Sequence, residues 1–278
     1  MHSDQPEVTT AMNTQATTVK VLFSLDATPL LPVSTRPEQH LVALIDEHSL
    51  SAEKFRMLAN RLVSVRHSRE LKIVHVTSSV VGEGKSLVAA NLAVTFARRP
   101  RQRVLLLEGD LRKPSLARLL GVGPVSGLGE WWENGSGEEE SNPPIYRVDG
   151  LQLWLLPAGK TARPTDIMQS PRVPELLSRV AELFDWVIID SPPLLPVADA
   201  GLWARWSDGT LLVVRAGVPP KKALRKGLES LDNARFLGMV LNDAPDQVGG
   251  KYYHRYYGLY AHNGKVEAPV AKLLPPKA

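Results

Sequence analysis

The stretch Ser79-Val80-Val81-Gly82-Glu83-Gly84-Lys85-Ser86 decides the fold, because it joins an apolar run at 73–76 to a helical pattern. It has the form of a phosphate-binding loop, in which backbone N–H groups and the positive end of the following helix contact phosphate oxygens. Glycines let the backbone approach the ligand, the lysine reaches the β- and γ-phosphates, and the last serine binds magnesium. We therefore expect nucleotide contacts from Gly82, Glu83, Gly84, Lys85, Ser86 and Leu87. The alternative is a Gly/Ser turn with a chance lysine, since Ser79 stands where the strict pattern has glycine.

Short runs of Val, Ile and Leu recur along the chain, at 73–77, 104–107, 153–156, 187–189, 210–214 and 237–241. They alternate little with polar residues, which is typical of buried parallel strands. Helical patterns lie between most of them, at 86–98, 172–184, 197–206 and 221–233. The sequence therefore predicts an α/β fold, with a mostly parallel sheet covered by helices on both faces. In such sheets ligands bind beyond the carboxyl ends of the strands, where the loop at 79–86 falls.

The remaining segments divide the chain into three parts. Residues 1–45 have weak periodicity and scattered prolines, and we expect a flexible N-terminal arm there. Residues 46–245 form the predicted α/β domain, which begins with a helix near Ser51, a reasonable N-cap. Residues 246–278 are predicted to be a flexible, tyrosine-rich tail. Within the domain, 133–145 is expected to be an exposed loop and 157–171 a structured but irregular connection.

Composition narrows the class of protein. The chain has 278 residues, 44% of them hydrophobic, and no cysteine, which excludes disulfides, thiolate metal sites and cysteine catalysis. No apolar stretch of about 20 residues is present. The polar, Thr-rich start lacks the features of a secretory signal, so we expect a cytoplasmic location. The net charge of +4 is partly due to a basic tail after Lys251, which either contacts an anionic surface or is merely solvated. No nucleic-acid-binding motif is present, and no nucleic-acid partner is expected.

Two further strand ends carry acids. The run 104–107 leads into Glu108 and Asp110, and the run 187–189 leads into Asp190. An apolar strand that ends in an acid is the arrangement that holds nucleotide-bound magnesium. Asp190 fits the second Walker motif, with Ser86 as its partner on the metal, whereas a lone Asp is otherwise a helix cap or turn former. We expect Arg112 either to contact phosphate or to brace an acid; the alternative is a surface ion pair.

In the order of its motifs along the sequence, the chain resembles the bacterial tyrosine kinases that control capsule and exopolysaccharide synthesis. These kinases belong to a P-loop branch with a deviant Walker motif, shared with partitioning and division-site ATPases. The resemblance covers roughly residues 40–260. Its pieces are 77–86, Gly109-Asp110-Leu111-Arg112-Lys113-Pro114, Pro157-Ala158-Gly159, 184–193, Val197-Ala198-Asp199-Ala200, 213–217 and 238–242.

The resemblance implies an ATP-dependent tyrosine autokinase with Mg²⁺ as cofactor. Lys85 would neutralise γ-phosphate charge, and Ser86 and Asp190 would hold the metal directly or through water. Asp110, with Glu108, would position or deprotonate a tyrosine hydroxyl. Asn242 resembles the family's adenine-contacting position, and is otherwise a turn residue at the end of a strand.

Five of the chain's six tyrosines lie in one short stretch: Tyr252, Tyr253, Tyr256, Tyr257 and Tyr260. The family carries such a cluster at its C-terminus, where neighbouring subunits phosphorylate it. The alternative is an aromatic tail that packs on the domain or on a partner.

Three positions separate this chain from its relatives. Val80 stands where partitioning and division ATPases carry a second lysine that reaches across a dimer, which argues against such an ATPase. Glu108 stands where the family has Asp, and the extra methylene puts full activity in question. Glu53 and Arg56 match the family's ring-forming helix motif, but Ala59 replaces its last arginine; the pair is otherwise an ordinary exposed ion pair.

The resemblance also implies partners. The chain is similar to the split type of kinase, in which a membrane adaptor of the chain-length-determinant type supplies an activating cytoplasmic tail. We therefore expect a homo-oligomer at the inner face of the membrane. Two rival functions stay open: an ATP-binding regulatory subunit of an export system with weak or no kinase activity, and a partitioning-type ATPase.

Overall fold

The computed structural model describes residues 24–36, 39–134, 142–232 and 235–244. Eight strands in this part of the chain form one sheet in the order β1-β4-β5-β3-β6-β2-β7-β8. The strands are β1 (Leu30–Leu31), β2 (Ile73–Ser78), β3 (Val104–Glu108), β4 (Tyr146–Val148), β5 (Leu153–Leu156), β6 (Trp186–Asp190), β7 (Gly209–Arg215) and β8 (Phe236–Asn242). All neighbouring pairs are parallel except β4 and β5, which are antiparallel.

Helices cover both faces of the sheet. They are α1 (Val42–Ile45), α2 (Leu50–Ser68), α3 (Lys85–Ala97), α4 (Leu116–Leu119), α5 (Leu128–Asn134), α6 (Pro164–Gln169), α7 (Arg172–Leu183), α8 (Asp199–Trp206) and α9 (Lys221–Glu229). One core lies between the sheet and α1–α3, and a second core lies between the other face and α5–α8. The strands of the centre are buried throughout because their side chains alternate between these two cores. The predicted α/β fold with a mostly parallel sheet is confirmed.

The predicted flexible arm is wrong for the part of it that the structure describes. β1 pairs with β4 at the edge of the sheet, and Leu31 and Leu41 are buried. Asn91 of α3 holds the next turn, since its Oδ1 accepts a hydrogen bond from Ala43 N at 3.0 Å. These elements are two to four residues long, so they carry no hydrophobic period, and only tertiary contacts reveal them.

Two local predictions also need correction. The cap of α2 is Ser49 rather than Ser51, since Ser49 Oγ accepts a hydrogen bond from Ala52 N at 3.1 Å. The connection at 157–171 is not wholly irregular, because it contains α6 with Pro164 in its first turn. Within the described ranges, each helix is too short or too polar to cross a lipid bilayer.

Candidate functional site

The loop at 79–86 joins β2 to the N-terminus of α3 and has the backbone that phosphate binding requires. Gly82 and Gly84 have φ of 88° and 87°, a left-handed conformation that favours glycine. A Cβ atom on Gly84 would overlap the Asn242 amide, so that glycine also admits the side chain from the end of β8. The loop is therefore shaped by two glycines and closed on one side by Asn242.

Glu83 is buried and holds the loop together from within. Its Oε2 accepts a hydrogen bond from Val80 N at 2.8 Å, and its Oε1 accepts one from Arg215 N at 3.4 Å. Asn242 Nδ2 donates to the Glu83 carbonyl at 3.0 Å. The Glu83 side chain thus ties the loop to the end of β7, and its backbone carbonyl ties the loop to the end of β8, a role that the sequence motif did not indicate. Any nucleotide contact of Glu83 would come from its backbone.

The lysine of the loop is paired with an acid from the next strand end. Lys85 Nζ lies 3.0 Å from Asp110 Oδ2 and 3.5 Å from Ser86 Oγ. The other oxygen, Asp110 Oδ1, accepts a hydrogen bond from Lys113 N at 3.0 Å, which fixes the carboxylate. The structure therefore brings Lys85, Ser86 and Asp110 together, as their places at the carboxyl ends of β2 and β3 predict.

Asp190, at the end of β6, is fully buried and neither of its carboxylate oxygens has a hydrogen-bond partner. Burial raises its pKa to about 7, against lowering by Lys85 and Ser86, and Glu108 and Asp110 raise it further. Ser86 is thus close enough to favour the charged form without bonding either oxygen. A buried carboxylate with two unpaired oxygens beside a serine hydroxyl is a donor set that suits Mg²⁺, which prefers oxygen ligands. Asp190 and Ser86 therefore fit the metal that the sequence implies.

Glu108 has a different environment from the one that the sequence suggested. Its Oε1 accepts hydrogen bonds from Ser115 N and from Leu116 N, the latter at 2.6 Å, and its Oε2 accepts one from Ala158 N at 3.2 Å. Burial raises the pKa of Glu108, these three bonds lower it, and Asp110 raises it. The longer side chain thus reaches backbone groups that join α4 to the end of β5. The structure gives Glu108 a bracing role and leaves Asp110 as the carboxylate beside Lys85.

Arg112 braces an acid rather than facing the loop. Its Nε lies 2.9 Å from Asp199 Oδ2, and its Nη2 donates to Thr165 Oγ1 at 3.0 Å. These contacts join the segment after β3 to α6 and α8. Of the roles considered from the sequence, the structure shows an ion pair that braces an acid, and a phosphate contact of Arg112 stays a prediction.

A cavity of about 830 Å³ opens beside Gly82 and Gly84. Its walls come from α2, α3 and β8, and include Phe55, Leu87 and Asn242. The volume lies in the range of nucleotide and cofactor sites. Asn242 thus lines a partly apolar cavity next to the phosphate loop, and its amide also bonds within the protein; its contact with adenine stays a prediction.

Glu53 and Arg56 pair with each other on α2, with Arg56 Nη2 at 2.5 Å from Glu53 Oε2. Arg56 Nη1 also donates to the Glu47 carbonyl at 2.7 Å. Their role in oligomer contacts stays a prediction. The tyrosines at 252, 253, 256, 257 and 260 lie outside the described residues, as does the rest of the predicted tail after 244.

Comparisons with known proteins agree on one group. The chain is 31% identical over 227 residues to tyrosine-protein kinase YwqD of Bacillus subtilis, covering 81% of this chain and 93% of that one. It is 32% identical over 255 residues to the succinoglycan biosynthesis transport protein ExoP of Rhizobium meliloti, covering 85% of this chain but 32% of that protein. No family profile matches the sequence.

Solved structures give the same result. The kinase domain of the Escherichia coli tyrosine kinase ETK superposes with a TM-score of 0.68 at 25% identity, over 79% of this chain and 91% of that one. The Pyrococcus furiosus cell division ATPase MinD superposes with a TM-score of 0.50 at 25% identity, over 63% of this chain and 74% of that one. The fold is therefore shared with P-loop ATPases, and the sequence is most like that of the kinases among these proteins.

Proposed function

We propose a function from the premise that this chain belongs to the family of bacterial tyrosine-protein kinases. It is an ATP-dependent protein-tyrosine autokinase that regulates capsule or exopolysaccharide biosynthesis, and its C-terminal tyrosine cluster is phosphorylated between subunits. The observation that carries the proposal is the unpaired, buried carboxylate of Asp190 beside a phosphate loop whose lysine is held by Asp110.

Binding of ATP follows from the loop. The N–H groups of 82–87 and the N-terminus of α3 would contact the phosphates, and the cavity beside Asn242 would take the base. Ser86 and Asp190 would hold Mg²⁺, directly or through water. When bound, Mg²⁺ neutralises part of the negative charge on the β- and γ-phosphate oxygens.

The Lys85–Asp110 ion pair suggests how the base is released. In the structure Lys85 occupies Asp110 Oδ2. A γ-phosphate offers Lys85 a stronger partner, and its departure leaves Asp110 Oδ2 free to accept the proton of a tyrosine hydroxyl. The tyrosine oxygen then bonds to the phosphoryl group, ADP leaves with the electrons of the broken bond, and Asp110 carries the proton.

The partners follow from the relatives rather than from the site. A membrane adaptor of the chain-length-determinant type would supply a cytoplasmic tail that activates the kinase, and would keep it at the inner face of the membrane. Homo-oligomers, with α2 and its Glu53–Arg56 pair near the contact, would bring the tail of one subunit to the site of the next. The name of ExoP, a succinoglycan biosynthesis transport protein, supports the proposed role in exopolysaccharide biosynthesis.

The test is phosphotyrosine formation by the purified protein. The protein is incubated with Mg²⁺ and ATP, with and without the adaptor tail, and the 251–260 peptide is analysed by mass spectrometry. We expect phosphate on that peptide in the wild type and in Lys222→Met, an exposed-lysine control, but not in Lys85→Met. Phosphotyrosine on Lys85→Met would overturn the assignment.

The rival function is an ATP-binding regulator with weak or no transfer. Hydrogen bonds occupy both Glu108 oxygens, so Glu108 is not free to act together with Asp110 on a tyrosine hydroxyl. This favours the regulator, because Asp110 is then the one carboxylate of the expected pair that lies beside Lys85. The same experiment separates the two functions: nucleotide binding without phosphotyrosine, with the adaptor tail present, supports the regulator.

A further inference from the structure

A buried histidine lies in the centre of the sheet, on the strand beside the one that ends in Asp190, and the proposed mechanism does not use it. His75 of β2 is fully buried. Its Nδ1 lies 3.1 Å from Thr210 Oγ1 on β7, and its Nε2 lies 2.6 Å from Ser191 Oγ, directly after Asp190. The side chain therefore links three neighbouring strands at the level where the site begins.

The hydrogen-bond partners select one neutral form of the ring. Burial lowers the pKa of His75 to about 3, so the ring has one N–H and one acceptor nitrogen. If Nε2 carries the proton, it donates to Ser191 Oγ, and the Ser191 hydroxyl donates to the Pro192 carbonyl at 3.1 Å or the Val76 carbonyl at 3.3 Å. The Thr210 hydroxyl then donates to Nδ1. This arrangement satisfies every polar group of the cluster.

The other tautomer fails this count. An N–H on Nδ1 would donate to Thr210 Oγ1, and the Thr210 hydroxyl proton would then need an acceptor, which no contact of this cluster supplies. A buried donor without an acceptor costs on the order of 1–3 kcal/mol. The geometry therefore favours the Nε2–H form, which donates to Ser191.

The position of Ser191 explains what this bond controls. The Asp190 carboxylate has no hydrogen-bond partner, so it is aimed by its backbone and by the turn that follows. That turn is attached to β2 by Ser191 N, which donates to the Val76 carbonyl at 3.1 Å, and by Thr77 Oγ1, which donates to the Pro192 carbonyl at 2.8 Å. The His75–Ser191 bond, at 2.6 Å, is the shortest of these contacts.

We propose that His75 is a positioning residue for the nucleotide-bound metal: through the Ser191 hydroxyl it fixes the turn that aims Asp190 toward Ser86. The inference rests on the proposed function only in that it assumes a metal–nucleotide complex at the loop. It requires no phosphoryl transfer. Residues that orient a metal ligand typically change metal affinity about 10- to 100-fold when replaced.

Two substitutions at one position separate the contacts of the ring. His75→Gln places an N–H donor near the position of Nε2 and keeps the bond to Ser191. His75→Asn keeps the contact with Thr210 and loses the bond to Ser191. We expect His75→Asn to raise the Mg²⁺ concentration for half-maximal ATP binding about 10-fold, and His75→Gln to stay within about 3-fold of the wild type.

Two further variants control the result. Ser191→Ala removes the hydroxyl alone, and we expect the same 10-fold change, with no additional change when it is combined with His75→Asn. Thr210→Val removes the partner of Nδ1 and is expected to lower thermal stability while it leaves Mg²⁺ dependence unchanged. Ser191→Ala also keeps the test decisive if His75→Asn does not fold.

The measurement is calorimetric titration of ATP at a series of Mg²⁺ concentrations and in EDTA, with melting temperatures alongside. A change in melting temperature without a change in Mg²⁺ dependence would overturn the proposal, as would equal effects of Thr210→Val and Ser191→Ala. A shifted Mg²⁺ dependence in a protein that forms no phosphotyrosine would support the positioning role and refute the kinase. ATP binding by the wild type that is indifferent to Mg²⁺ would refute both.

Discussion

Replacing Asp190 by Asn should stabilise the protein without ligand and abolish its response to Mg²⁺. Burial raises the pKa of Asp190 from 3.8 to about 7, and both of its oxygens lack partners. Each pKa unit corresponds to about 1.4 kcal/mol, so holding the ionised carboxylate in the folded protein costs up to about 4 kcal/mol. The amide of Asn is itself unpaired there and costs on the order of 1–3 kcal/mol, which offsets part of the gain. We expect a net gain of about 1–3 kcal/mol in the free energy of unfolding at pH 8.

The gain must depend on pH with a definite sign. Because the folded pKa of Asp190 lies above the unfolded value, folding favours the protonated acid. The free-energy cost of the buried charge is absent below about pH 4, grows as pH rises from the unfolded to the folded pKa, and is complete above about pH 7. The advantage of Asp190→Asn should therefore increase by about 3 kcal/mol between pH 5 and pH 8.

Urea unfolding in EDTA at these two pH values measures the effect. Asp208→Asn is the matched control, because Asp208 Oδ2 accepts hydrogen bonds from Lys72 N at 2.8 Å and Ile73 N at 2.7 Å, and this variant should lose stability. Saturating Mg²⁺ and ATP should reverse the order, since a ligand at about 1,000 times its Kd adds about 4 kcal/mol to the wild type alone. An Asp190→Asn protein that is no more stable than the wild type at pH 8, or equally favoured at pH 5, would refute the reasoning.

Three other substitutions test the surroundings of the site. Glu108→Gln should lower the free energy of unfolding by about 1–3 kcal/mol, because one backbone N–H group that now donates to Glu108 loses its acceptor. Phosphotyrosine formation should stay measurable. A loss of phosphotyrosine with an unchanged free energy of unfolding would make Glu108 catalytic instead. Burial lowers the pKa of His75 to about 3, so the neutral ring stabilises the fold above about pH 6.5, and this stability is lost as pH falls. In urea unfolding, the free energy of unfolding of His75→Gln should therefore rise by about 3 kcal/mol relative to that of the wild type between pH 6.5 and pH 4. A parallel decline of both proteins would contradict this. Gly227→Ala would bring a methyl group onto the Ser79 side chain and should cost about 1–3 kcal/mol in thermal unfolding, with rescue by Ser79→Gly in the same chain; no rescue would mean that the strain lies elsewhere.

The sheet was predictable because its central strands are buried on both faces. A strand that faces two cores must be apolar throughout, so the run at 104–107 stands out in the sequence without any alternation. The edge was not predictable on the same ground. Leu30 is exposed and Leu31 is buried, and two residues cannot define a period. The segment from 24 to 45 that the structure describes therefore needed tertiary contacts to be seen.

The site was predictable where strand ends carry the chemistry. Lys85, Asp110 and Asp190 follow three neighbouring strands, and parallel strands bring their carboxyl ends to one edge. The role of Glu108 was not predictable, because it depends on backbone N–H groups at 115, 116 and 158 that only the folded loops bring within reach. Motif position indicates a catalytic acid, which stays a prediction, whereas the length of the side chain brings the carboxylate to these amides.

Buried polar side chains around the site differ in whether they have hydrogen-bond partners. Among the described residues, the buried side-chain oxygens that lack a hydrogen bond belong to Ser79 and Asp190. Glu83, Glu108 and His75 are equally buried, yet each has its partners within the protein. A fold that satisfies these neighbours gives up stability at the phosphate loop, where the Asp190 carboxylate and the Ser79 hydroxyl lack partners. Such a local cost is expected where a ligand completes the site, and the Asp190→Asn experiment measures it directly.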